Sequence, residues 1–104
     1  MRLDKWLWVA RFFKTRALAT AAISGGKVHV NGDRVKPARR IATGDSLTVQ
    51  KGPYRFSITV SGLSNQRRPA EEAQTLYAES VASVAARHTL HDERRLQGLG
   101  ARQP

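Results

Sequence analysis

The chain has 104 residues, enough for one small domain with a modest core and an appendage. It holds no cysteine, which removes disulfides and thiolate chemistry and fits a reducing, cytoplasmic setting. Eighteen Lys and Arg against eight Asp and Glu leave a net charge of +10, which points to a polyanionic partner, and no stretch approaches the ~20 apolar residues of a membrane span.

The excess charge is uneven. Residues 1–60 carry twelve cations and three acids, whereas residues 61–104 carry six and five. A basic domain followed by a balanced segment suits a nucleic-acid-binding module with an extension.

In chain order, Leu3, Trp6, Leu7, Ala10 and Phe13 recur at helical spacing and predict a helix over 3–13. Asp4 lies near its positive end and has Arg2 or Arg16 as candidate partners. An Arg-rich amphipathic start also suits a transit peptide or a membrane-surface helix. Asp4, and the need for these apolar residues in a core, argue against both. Trp6 and Phe13 are expected inside. Trp8 and Phe12 fall on another face, beside Lys5 and Arg11. There they either stack on unpaired bases or anchor a C-terminal element, with Leu76 and Tyr77 as candidate partners.

Thr15 reads as the N-cap of a second helix over 16–24, which Gly25-Gly26 stops. From Lys27 the period becomes two. Val28 and Val30 point inward, Lys27 and His29 outward, and Asn31-Gly32 makes a hairpin turn. Val35 extends the return arm until Pro37. A Gly44-Asp45 turn precedes a strand over 46–50, and a further alternating strand covers 55–61. Pro69, Glu71 and Glu72 open a helix that Leu76, Tyr77, Val81 and Val84 carry to about residue 88. Residues 89–104 lack apolar periodicity and are expected to be a disordered tail.

The ordered set Arg2-Leu3-Asp4, Leu7, Thr15-Arg16, Ala19, Ile23, Gly26, Val28, Val30-Asn31-Gly32, Val35, Pro37 and Gly44-Asp45 resembles the S4 domain. The paired tryptophans of "DKWLWVARFFKTR" and the later "PAEEAQTLY" are similar to the bacterial heat shock protein 15 family. The resemblance implies an α+β, S4-type (alpha-L) fold, with two N-terminal helices packed on a small antiparallel or mixed sheet, plus a C-terminal helix. The expected division is an S4 domain at 1–62, a linker and helix at 63–88, and the tail. It also implies noncatalytic binding of structured ribosomal RNA on the large (50S) subunit, in heat-shock rescue of subunits carrying a blocked nascent chain linked to tRNA. Alternatives are the RNA-targeting module of an RNA-modifying complex and a nonspecific binder of RNA or DNA.

The RNA-facing candidates are Arg2, Lys5, Arg11, Lys14, Thr15, Arg16, Lys27, Asn31, Arg34, Lys36, Arg39 and Arg40. Lys14 and Arg16 lead the set because a helix N-terminus already favours a phosphate. Arg pairs with a phosphate through two hydrogen bonds or stacks on a base, while Lys acts as a point charge. Lys51 and Arg55 stand outside the set. No cofactor, metal or small-molecule substrate is expected. His88 and His91 lack further close ligands, no nucleophile–base pair or phosphate-cradling loop occurs, and Asp4, Asp33 and Asp45 read as structural.

Overall fold

The computed structural model describes residues 1–101. Helices α1 (Leu3–Val9) and α2 (Arg16–Ser24) are followed by strands β1 (Val28–Val30), β2 (Asp33–Arg34), β3 (Ser46–Lys51) and β4 (Tyr54–Val60). Then come a one-turn helix α3 (Ala70–Ala73), a 3-10 turn (Gln74–Leu76), strand β5 (Tyr77–Glu79) and helix α4 (Val81–Ala101). The five strands form one sheet in the order β2-β1-β3-β4-β5, and every neighbouring pair is antiparallel. The α+β class and the helix-pair-on-sheet architecture are those expected.

Strand alternation decides which face meets the helices. Val28 pairs with Val49, and Val30 with Leu47, which pairs in turn with Ile58. These residues are buried against Leu3, Trp6, Leu7 and Ile23. Asn31 and Gly32 have φ of 51° and 86°, as a two-residue type I′ hairpin turn requires. The Asn31 side chain also accepts from the Ser46 N–H (3.0 Å) and donates to Asp45 (3.4 Å), so it ties the first hairpin to β3.

α1 ends four residues earlier than its apolar pattern predicts. Arg11 adopts φ 64°, its N–H donates to Trp8 O (3.1 Å), and the Phe12 N–H donates to Leu7 O (3.0 Å). That pair of bonds is a Schellman stop, with arginine where glycine is usual. The reversal carries Phe12 into the core at 5% exposure and leaves Phe13, expected inside, only half-buried. Phe12 then packs on Tyr77 with centroids 4.7 Å apart, and Trp6 meets Tyr77 edge-on at 6.4 Å. Phe12 therefore anchors the C-terminal extension, as one reading allowed. Trp8 instead lies under the Arg67 guanidinium, 5.4 Å from its ring centroid.

α2 stops in the same way, this time on glycine. Gly26 has φ 76°, and the Lys27 N–H reaches Ala22 O (3.0 Å). Arg34 adds a side-chain cap, donating to Ser24 O at 2.7 Å.

The region expected as one helix over 69–88 is broken. Tyr77, Ala78 and Glu79 pair with Val60, Thr59 and Ile58, because the open edge of β4 has backbone groups to satisfy. Ser80 then restarts the chain as a helix by accepting from the Ser83 N–H (3.1 Å). Glu79 holds α4 through a two-point pair with Arg87 (2.7 and 2.8 Å), and Arg87 covers the Phe56 ring. Residues 89–101, expected as tail, continue α4 to Ala101, while 102–104 lie outside the described residues.

Because Tyr77 covers Trp6 and Phe12, removing residues 69–104 should red-shift Trp fluorescence and raise acrylamide quenching. Unchanged spectra would show that the extension does not seal this face.

Candidate nucleic-acid interface

The surface is organised by Asp4. Its side chain is only 4% exposed, yet it is charged. It accepts from Arg2 (3.1 and 3.3 Å), Arg16 (3.3 Å), the Lys5 N–H (2.8 Å) and Thr20 (3.4 Å). Burial pushes its carboxyl up, but the hydrogen bonds from Arg2, Lys5 and Arg16 outweigh this and hold it below its ordinary value. A buried carboxylate without such partners would cost several kcal/mol. Arg2, on the strand-like lead-in, and Arg16, at the first position of α2, are thus fixed around one charge.

The loop after β2 folds onto the same place. Arg39 O and Pro37 O accept from the Leu3 and Asp4 N–H groups (2.8 and 3.3 Å), and residues 2 and 40 form a β-bridge. The loop carbonyls therefore close the N-terminus of α1. They also set Lys36, Arg39 and Arg40, all exposed, beside Arg2 and Arg16. The N-terminus of α2 is different. Thr15 caps it by accepting from the Leu18 N–H (3.1 Å), while the Arg16 and Ala17 N–H groups have no partner among the described residues. Exposed Lys14 stands next to them. This end of α2 combines free donors, a positive dipole end and exposed cationic side chains, which suits a phosphate.

The twelve sequence candidates therefore separate. Arg2, Lys14, Thr15, Arg16, Lys36, Arg39 and Arg40 gather around the helix starts. Lys27 and Arg34 lie at the opposite end of α2, about 13 Å away along its axis. Lys5 is half-buried on α1. Outside that cluster, Arg34 caps α2, Asn31 ties the hairpin to β3, and Arg11 donates to Arg68 O (2.6 Å). Arg67 answers by donating to Trp8 O (3.0 Å), so two arginines staple the linker to the end of α1. Sequence reasoning did not find this staple, because neither partner belongs to a recognisable local pattern.

Among the described residues no group of three or more His, Asp or Glu side chains is placed to hold a metal, and His91 meets the Tyr54 hydroxyl (3.1 Å). No helix is long and apolar enough to cross a membrane.

Residues 1–47 match the S4 domain family. Over all 104 residues the chain is 46% identical to heat shock protein 15 of Escherichia coli K12, covering 78% of that protein. The chain belongs to the heat shock protein 15 family. The fold agrees: a trimeric structure of Vibrio cholerae heat shock protein 15 superposes with a TM-score of 0.87 at 46% identity, covering 92% of this chain and 97% of that one. A more distant relative is the RQC P-site tRNA stabilizing factor of Bacillus subtilis, 36% identical over 77 residues, which make up 74% of this chain and 88% of that protein. Family membership gives the basic surface its class. The N-terminal part is an S4 RNA-binding domain, and the helix starts gathered around Asp4 belong to it.

Replacing Asp4 by Ala should lower stability by about 1.5–3 kcal/mol, the range for hydrogen bonds to a charged group, measured by urea unfolding. Asp4 and Glu79 both titrate below their ordinary values of 3.8 and 4.5. The stability they contribute is therefore complete above those values and is lost as pH falls through the lower, folded-state values. The thermal midpoint should drop as pH falls from 5 towards 2, and Asp4→Asn should flatten that drop.

Proposed function

We propose that this protein is a noncatalytic RNA-binding factor of the cytoplasm. It grips structured ribosomal RNA on the large subunit and acts in heat-stress rescue of subunits that carry a blocked nascent chain linked to tRNA. The observation that carries this reading is the gathering of Lys14, Arg16, Lys36, Arg39 and Arg40 about the starts of α1 and α2, the first N–H groups of α2 having no partner among the described residues. Backbone phosphates are the ligand such a surface fits. The names of two relatives support the setting, one a heat shock protein and the other a factor that stabilises P-site tRNA.

The mechanism is positional. Phosphate contacts orient a protein on RNA but read no sequence, so selectivity comes from the shape of the RNA that brings phosphates to these cations together. Arg2 and Arg16 are held by Asp4 and present their remaining N–H groups in a fixed direction. Lys14 and Lys36 adapt as point charges. The extension, latched by Glu79 and Arg87, projects from the other edge of the sheet and is free to meet a second ligand such as the tRNA.

The Lys14, Lys36 and Arg40 side chains make no hydrogen bond or ion pair among the described residues, so changing them to Gln tests binding without touching the Asp4 pairs. The triple variant should keep its melting temperature and lose tenfold or more in affinity for purified large subunits. If about six phosphates are engaged, log affinity should fall with log salt at a slope of roughly −4 to −5, and each substitution should reduce that slope by about 0.7–0.9. Unchanged affinity in the triple variant, or a flat salt response, would remove the assigned surface. Equal binding to small subunits would remove the large-subunit assignment.

A further inference from the structure

A second region of the molecule has a different chemistry. Between α2 and the β3–β4 hairpin lies an open cleft of about 610 Å³. Its walls are apolar and aromatic, from Phe13, Leu18, Tyr54 and Phe56, and Leu18 is 51% exposed there. Lys51 reaches over it, with Nζ 5.6 Å from the Phe13 ring centroid. On the other side of the sheet end is a smaller cleft of about 230 Å³, which includes Lys27, His29, Thr48 and Arg55. Lys27 and Gln50 line both clefts, and the Gln50 N–H donates to Lys27 O (2.8 Å), so one backbone rung separates them. Gln50 also donates its side-chain amide to Gly52 O (2.8 Å), while its Oε1 accepts no hydrogen bond among the described residues.

We propose that the larger cleft receives one unpaired base of the bound RNA, and that Lys27 and Arg55 take the adjoining phosphate on the polar side. This rests on the RNA-binding reading above and extends it from backbone contact to a nucleotide site. Charge selects the occupant. No Asp or Glu lines either cleft, and three cations rim them. An apolar peptide would fill the aromatic walls and leave those cations unanswered. A nucleotide offers a flat π-surface to Phe13 and Tyr54 and an anion to Lys27 and Arg55. The site also explains why aromatic and apolar side chains stay open at this end of α2 in so basic a domain.

The test uses the full chain and three labelled RNAs: a fully paired hairpin, the same hairpin with one unpaired purine in its stem, and that hairpin with an abasic residue in place of the purine. Binding followed by anisotropy should be on the order of tenfold tighter for the unpaired purine than for the other two. Ala21→Phe, which fills the cleft from an exposed position on α2, should abolish that preference and leave the salt slope unchanged. Tyr54→Ala, which removes one stacking wall without changing the charge, is the second variant, read the same way, should the first not fold. Salt-dependent binding of equal strength to all three RNAs overturns the base site and leaves the basic interface standing. A preference that persists in a folded Ala21→Phe or Tyr54→Ala protein also overturns it, as does binding of a neutral apolar peptide in place of the base. Absence of salt-dependent binding to any of the three RNAs overturns both readings.

Discussion

Asp4 puts a negative charge where hydrocarbon packing would otherwise continue, among Leu3, Leu7 and the first turn of α2. Such a charge is stable in that place only if every lone pair is answered, and here two guanidinium groups, a backbone N–H and a hydroxyl answer it. The requirement is geometric as well as energetic. Arg16 can reach Asp4 only if α2 starts beside α1, and Arg2 only if the lead-in runs back along the helix. The relative placement of the two helices, the path of the first residues and the direction of two exposed arginines thus follow from one carboxylate.

The rest of the basic surface is assembled by backbone economy. The short loop after β2 finds partners for its carbonyls in the first N–H groups of α1, and in doing so brings Lys36, Arg39 and Arg40 to the helix pair. The same saturation that closes α1 leaves α2 open, since Thr15 satisfies one donor and two remain. Of the two N-terminal helices, only α2 therefore has a receptive end among the described residues. Along another side of α2, from Phe13 and Leu18 to Ala22 and Lys27, the surface changes from cationic to aromatic and aliphatic, and the two regions share one helix as their axis.

Much of this was legible in the residues themselves where local chemistry decides the outcome. Thr15 as a cap, Gly26 as a left-handed stop, Asn31-Gly32 as a hairpin turn and the inward valines of β1 each rest on contacts a few residues apart. The errors occur where distant contacts override local preference. Nothing in Arg11 announces a left-handed residue, and it adopts that conformation because Phe12 gains a buried site against Tyr77 and Phe56. Tyr77–Glu79 lie in an apolar helical pattern but serve as a strand, because β4 needs a neighbour. The candidate cations were identified as a set, yet the division between free and internally bonded members was not, since Arg11 and Arg34 find carbonyl partners 57 and 10 residues away.

The way the sheet ends has a consequence for a protein of a heat-shock family. An unpaired strand edge is a template on which partly unfolded chains aggregate, and heating supplies such chains. Here the outermost strands have only two and three residues. Where β5 stops short, the Ser83 hydroxyl accepts from the Ser57 N–H (2.9 Å) and donates its one proton to the Glu79 carboxylate (2.6 Å), so one side chain continues the pairing that β5 leaves off. The start of α4 is thus a cover over the longest exposed edge. Self-association at high temperature is opposed for as long as the Glu79–Arg87 latch keeps that cover in place.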